Sequence, residues 1–289
     1  MTEHILYHAD ARDLSFIQNN SIHLILTSPP YYNLKEYRRG ENQLGIINDY
    51  QCFIDELEKV WKECFRILVP GGRIVCVVGD VCLSRRKYGR HVVMPLHSDI
   101  AVSCRKIGFD NLNPILWHKI SNASYEANTN SSILGKPYEP NAIIKNDIEY
   151  ILMQRKPGGY RKPSNRQRNE SMIDKEDFQN WFSQIWELPG ASTKNGHPAP
   201  FPLELATRLV KMFSFVGDYV LDPFSGSGTT MLAAIKSNRN SIGVETEDYY
   251  CQSTLQRLED NRDLFSDYKV YYKNLSAEKD YEDSNLIEY

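Results

Sequence analysis

No stretch of this chain approaches the roughly 20 consecutive apolar residues that a membrane-spanning helix needs. Its first residues carry neither a basic leader nor a small-residue cleavage site, so a cytoplasmic protein without membrane contact is expected. The six cysteines (Cys52, Cys64, Cys76, Cys82, Cys104 and Cys251) include no C-x-x-C pair. Common zinc and thiol-redox motifs are thereby excluded; most of these cysteines fall within apolar patterns, which predicts reduced core residues, no disulfide framework and no metal site. Internal repeats are also lacking, which excludes solenoids and propellers. Nor is there a basic excess: 34 Lys and Arg against 37 Asp and Glu give a net charge of −3.

That average hides an uneven distribution. Residues 276–289 carry Glu278, Asp280, Glu282, Asp283 and Glu288 against Lys279 alone, and low hydrophobicity predicts a disordered end. By contrast, Arg155, Lys156, Arg161, Lys162, Arg166 and Arg168 crowd a Gly- and Pro-containing stretch with no acid among them. A second basic loop holds Arg85, Arg86, Lys87 and Arg90. The length of 289 residues suits one large α/β domain or two small ones, with a core that needs no staples.

What is present is an alternation of strand-like and helix-like patterns, which argues for a largely parallel sheet covered on both faces. Strands are expected at Ile5–His8, Ile22–Leu26, Arg73–Val78, Leu112–His118, Ile148–Arg155, Tyr219–Leu221 and Ser241–Glu245. Helical spacing marks 50–68, 95–107, 201–215, 229–236 and the segment after Glu247. The polar segment 121–146 is too long for an ordinary connection and reads as a functional loop. Residues 157–195 differ in composition and read as an insert on the main sheet.

Two loops carry the chemistry. Thr27-Ser28-Pro29-Pro30-Tyr31 follows one buried strand, and Asp222-Pro223-Phe224-Ser225-Gly226-Ser227-Gly228-Thr229-Thr230 follows another. Loops at the carboxyl ends of neighbouring strands form one crevice, where open α/β sheets bind ligands. Gly226 and Gly228 allow bare backbone to approach a ligand, and the helix opened by Thr229 and Thr230 favours an anionic group at its N-terminus. Glu245 ends the next strand, about where a ribose-binding acid is expected. Each feature has a plainer reading: a G-x-G can be a tight connection, Ser-Pro-Pro a common turn, Glu245 a solvated strand end, and a basic stretch a solvated face.

The joint pattern resembles the DNA amino-methyltransferases. Asp222 to Thr230 is similar to their S-adenosylmethionine-binding motif and Ser28 to Tyr31 to their catalytic motif; the catalytic motif coming first marks the β group. The resemblance implies a Rossmann-like seven-stranded sheet of order 3-2-1-4-5-7-6, with strand 7 antiparallel, circularly permuted so that the chain begins at strand 3. It divides the chain into a catalytic half (1–156), a target-recognition insert (157–195), a cofactor-binding half (196–265) and a C-terminal tail (266–289). Asp10 matches the acid that accepts the adenine amino group of the cofactor, though a helix N-cap is its plainer role. Asn195, Gly196 and His197 match a segment that approaches the methionine end.

The chemistry suits these residues. An aromatic amino group is a poor nucleophile, because its lone pair is delocalised into the ring. Acceptors at the Ser28 hydroxyl and Pro29 carbonyl would hold the amino hydrogens, Pro29 and Pro30 would stiffen the loop, and Tyr31 would stack on a base flipped from the duplex. Within the family, serine at position 28 is associated mainly with cytosine N4 and Asp or Asn there with adenine N6. The resemblance makes double-stranded DNA the partner, read by the basic residues from Arg155 to Arg168. Tyr32, Asn33, Lys35, Tyr37, Arg38 and Arg39 would close over DNA or form a polar lid. A homodimer and a companion restriction endonuclease stay open.

Overall fold

The computed structural model describes residues 1–32, 44–83, 85–119, 140, 144, 146–190, 201–263, 267–275 and 287–288. Its centre is built from short runs of aliphatic residues whose alternate side chains enter opposite layers. Leu24 and Leu26 of β2 (Ile22–Thr27) join Val75 and Val77 of β3 (Leu68–Val78) on one face; Ile25, Ile74, Cys76 and Val78 point to the other. The second of these faces is covered by α1 (Tyr50–Ile67) and α3 (Leu96–Ile107), which bury Phe53, Leu57, Trp61, Cys64, Ile100 and Cys104. The first is covered by α6 (Leu203–Phe213) and α7 (Thr229–Lys236), through Leu205, Leu209, Ala233 and Ala234. A smaller cluster joins α7 to α8 (Asp248–Asp260) through Met231, Leu232, Cys251 and Leu255.

The remaining strands of the main sheet are β1 (Thr2–His8), β6 (Asp110–Asn111), β7 (Ile115–His118), β8 (Ile148–Arg155), β9 (Ile185–Glu187), β10 (Tyr219–Asp222), β11 (Asn240–Glu245), β12 (Tyr268–Asn274) and β13 (Ile287–Glu288). Their order is β13-β12-β1-β11-β10-β2-β3-β8-β7-β9, with β6 pairing β8 off this path. Within it, β1-β11-β10-β2-β3-β8-β7 reproduces the expected order 3-2-1-4-5-7-6. The strand expected to be antiparallel is β8, which runs against both β3 and β7. A separate hairpin of β4 (Val81–Leu83) and β5 (Val92–Met94), joined across α2 (Arg85–Tyr88), lies between β3 and α3.

Several expectations are corrected. Residues 268–274 belong to the sheet rather than to a tail: β12 pairs in parallel with β1 from Thr2 to His8 and buries Val270 and Tyr272. Its alternation of lysine, valine and tyrosine was masked by the acidic residues that follow. Ile287–Glu288 adds two antiparallel residues at its edge. The 157–195 segment carries α4 (Asn165–Glu170) and α5 (Lys175–Trp181), and its Trp181 and Trp186 join the α6–α7 face. β9 then adds a parallel strand beside β7. β3 begins at Leu68, five residues before the expected Arg73; the register shift against β2 absorbs Pro70-Gly71-Gly72. Gly71 has φ +80°, and a Cβ there would lie 2.2 Å from the Gly159 carbonyl oxygen, so only glycine lets this bend meet the start of the insert.

Candidate active site

β2 and β10 are adjacent and parallel, so both motif loops leave the same end of the sheet. A hydrogen bond links them at their roots. The Thr27 hydroxyl donates to Asp222 Oδ1 at 2.7 Å, while Thr230 donates to Oδ2 at 2.7 Å and the Phe224 amide to Oδ1 at 3.0 Å. Asp222 is 2% exposed, and its burial pushes the carboxyl up to about 6 despite these three donors. It therefore organises the turn from below rather than facing the crevice.

The turn itself departs from ordinary backbone at Gly226 (φ +51°) and Gly228 (φ +73°). A Cβ at Gly228 would stand 2.6 Å from Thr254 Cγ2, so the turn lies directly on α8. Arg257 of α8 clamps it by donating to the Ser227 carbonyl and hydroxyl and to the Thr229 hydroxyl, at 2.8, 3.2 and 3.0 Å. The Ser225 side chain is also turned inward and buried, close to where a Cβ on Gly243 would lie. Of the expected cofactor residues, Ser227, Thr229 and Thr230 thus hold the loop through their side chains and Ser225 packs inward, leaving backbone and Phe224 for a ligand. Phe224 is half-buried, edge-on to Trp61.

Glu245 ends β11, beside β10, and reaches back to the turn: Oε2 accepts from the Gly226 amide at 2.9 Å, and Oε1 from the amides of Thr246 and Glu247 at 2.9 and 3.0 Å. Burial nevertheless raises its carboxyl to about 7. Asp10 follows β1, the neighbour of β11, and lies one strand further from the turn. Its carboxylate accepts from the Arg12 amide and guanidinium, and Arg12 also pairs with Glu56. No helix begins at Asp10, so the expected N-cap is replaced by a local turn closed by the Arg12 amide, and Asp10 keeps the strand-end position expected for an adenine acceptor. A line from the Gly226 turn through Glu245 to Asp10 crosses three adjacent strand ends, with acceptors suited to hydroxyl and amino donors. This set of acceptors fits a nucleoside-containing cofactor such as S-adenosylmethionine. Asn195, Gly196 and His197 lie outside the described residues, as do residues 33–39 of the expected lid.

On the other side of the root, Ser28 is half-buried and Pro29 buried. Tyr31 reaches across β3, and its hydroxyl donates to Glu149 Oε1 at 3.1 Å, at the start of β8. Lys119, just beyond β7, pairs with the same carboxylate and lies 4.4 Å from the centre of the Trp117 ring. Gly79 makes room for this contact, since a Cβ there would press on Glu149 Cγ at 3.2 Å. Thr27's bond, Glu149, Lys119 and Arg257 were not singled out from sequence; each is separated from its partner by a span that no local pattern connects.

The basic stretch lies away from the crevice. Because β8 is antiparallel, its end at Arg155 lies beside Arg73, at the pole of the sheet opposite to Ser28. Arg155 pairs with Asp110, and Lys156 donates to Asn20 and the Leu68 carbonyl, each at 2.8 Å. Arg161 grips the fully buried Asp218, ahead of β10, through both terminal guanidinium nitrogens. Arg166 pairs with Glu170, and Arg168 and Lys162 are exposed. The cause is topological: an eight-residue strand of about 3.3 Å per residue separates the two poles. Among the described residues, no cluster of His, Cys, Asp and Glu suited to a metal occurs, and no helix is long and apolar enough to cross a membrane.

The comparisons agree with this geometry. The type II methyltransferase M.MjaI of Methanocaldococcus jannaschii is 40% identical over 278 residues, covering 85% of this chain and 88% of its own. The DNA adenine methyltransferase YhdJ of Escherichia coli (strain K12) is 29% identical over 268 residues, covering 88% and 82%. Among solved structures, TTHA0409 of Thermus thermophilus, complexed with S-adenosyl-L-methionine, is 53% identical with a TM-score of 0.76, covering 92% of this chain and 97% of that one. A family model for N6 and N4 methyltransferases, described as DNA methylase, matches residues 22–256. With the catalytic motif ahead of the cofactor motif and the two joined at Thr27 and Asp222, the chain belongs to the DNA methylase family of amino-methyltransferases, in its β group.

Proposed function

We propose that this chain methylates cytosine at N4 within a specific DNA sequence. S-adenosyl-L-methionine is its methyl donor, supplying an electrophilic sulfonium methyl group. The observation that carries the reading is the Thr27–Asp222 bond: it sets Ser28, the first residue of the catalytic loop, beside the turn that approaches the cofactor. Ser28 and the Pro29 carbonyl accept the two amino hydrogens and direct the nitrogen lone pair toward the methyl group. Pro29 and Pro30 keep these acceptors in register. Tyr31, tethered to Glu149, supplies a ring for the flipped base. No strong base is required before attack, because the methylated nitrogen becomes acidic and releases its proton to Ser28 or to water.

Serine at position 28 supports cytosine. A second reading, adenine N6, is favoured by the name of the relative YhdJ. Mass spectrometry of nucleosides from DNA methylated by the purified protein separates the two. N4-methylcytosine is expected, and N6-methyladenine alone would replace the cytosine assignment while keeping the mechanism.

A further inference from the structure

With the 157–168 basic stretch at the far pole, the active-site pole needs another source of positive charge, and the β4–β5 hairpin supplies one. It leaves the carboxyl end of β3, the pole of Ser28 and Asp222. From Val81 to Ser98 the sequence has Arg85, Arg86, Lys87 and Arg90 and no acid. Its stem is fixed. Val81 is fully buried, Leu83 and Met94 pack on the cluster that also holds Tyr31, and Asp80 pairs with His97 at 2.6 Å to close the base.

Its tip is open. Arg85, Gly89, Arg90 and His91 are exposed, and a Cβ on Gly89 would meet nothing within 4 Å. Neither Arg85 nor Arg90 forms an ion pair with a described carboxylate, unlike Arg155, Arg161 and Arg166. Tyr88 lies near Tyr32, directly after the catalytic loop: burial and then the Tyr88 hydroxyl hold the Tyr32 hydroxyl above its ordinary range. The β4 and β5 strands pair with each other and with no strand of the main sheet among the described residues.

We propose that the β4–β5 hairpin is a duplex-DNA docking arm whose Arg85 and Arg90 contact phosphates beside the flipped base. The inference rests on the proposed DNA-methylating function. A two-stranded ribbon is of a size the major groove admits, and arginine suits phosphate through its planar fork of donors. Arm and catalytic loop share the Tyr31 cluster, so phosphate contacts at the tip fix where the duplex stands relative to Ser28.

The test measures binding of a mixed-sequence DNA duplex across a salt series, for wild type, Arg85→Ala/Arg90→Ala and Arg166→Ala/Arg168→Ala. Methylation of genomic DNA by wild type is assayed alongside. The hairpin variant should lose about 1.8 from the slope of log affinity against log salt, or about thirtyfold in affinity near 0.15 M salt, at unchanged cofactor affinity. The insert variant should keep the wild-type slope. A wild-type slope in the hairpin variant, with an active wild-type enzyme, overturns the arm alone. A wild type that neither binds nor methylates DNA overturns the function and the arm together.

Discussion

Thr27 and Asp222 lie 195 residues apart in the chain and 2.7 Å apart in the fold, joined by a bond from a hydroxyl to a buried carboxylate. Asp222 has no cationic partner among the described residues; Thr27, Thr230 and the Phe224 amide are what favour its charged form. Thr27→Val keeps the shape and removes one donor. A loss of about 1 to 3 kcal/mol in unfolding free energy is expected, the scale for leaving a buried acceptor short of a partner. Turnover should fall as well, because both loops root there. Urea titration and single-turnover assays check the pair, and unchanged values in both would make the bond incidental.

Glu245 predicts how cofactor binding follows pH. Burial raises its carboxyl to about 7 in the free protein, and ribose hydroxyls donate to the charged form. Well above pH 7 the charged form is already populated, and below it that population falls about tenfold per pH unit. Affinity for S-adenosyl-L-methionine should therefore be lost as pH falls through about 7. Calorimetry between pH 5.5 and about 8.5 reads this. Glu245→Gln should bind more weakly at high pH and lack the step near 7; any step left near 6 belongs to Asp222.

The sequence made the sheet legible because its strands are buried on both faces and read as short aliphatic runs. Ile22–Thr27 and Asn240–Glu245 need no partner information to be recognised. The two loops were legible because proline and glycine impose local backbone constraints. What stayed hidden depends on crossing distance. β12 is a half-polar strand near the sheet's edge that acquires its meaning only beside β1. The basic run from Arg155 to Arg168 has the composition of a DNA-binding surface, yet the antiparallel course of β8 carries its first residues away from the crevice. Glu149 begins that same strand at the opposite pole, next to Tyr31.

Arg161 is accordingly expected to act on stability rather than on DNA. Arg161→Ala leaves the buried Asp218 carboxylate without its guanidinium, with only the Phe215 amide among its described donors at 2.8 Å. Removing one partner of such a pair costs about 3 kcal/mol or more. Denaturant unfolding should show that loss, and the salt slope of DNA binding should stay at the wild-type value in protein that remains folded. A stable variant with a shallower slope would return Arg161 to the DNA-binding surface.

The catalytic loop gives the sharpest contrast between a group that touches the substrate and one that positions it. Ser28→Ala should lower the single-turnover rate about 10²- to 10³-fold at unchanged cofactor affinity, by analogy with removing one preorganised hydrogen-bonding group. Glu149 acts through Tyr31 and Lys119. Glu149→Gln preserves an acceptor for the tyrosine hydroxyl and discharges the pair with lysine, so it should retain more activity than Glu149→Ala. In Glu149→Ala the Tyr31 ring loses its tether, and retention of the flipped base should weaken by about 1 kcal/mol, at the lower end of the stacking scale. Fluorescence of a 2-aminopurine placed at the target position reports that retention independently of chemistry. Equal base retention in wild type and Glu149→Ala would reduce Glu149 to a structural residue. Full activity in Ser28→Ala would remove the hydroxyl from the mechanism.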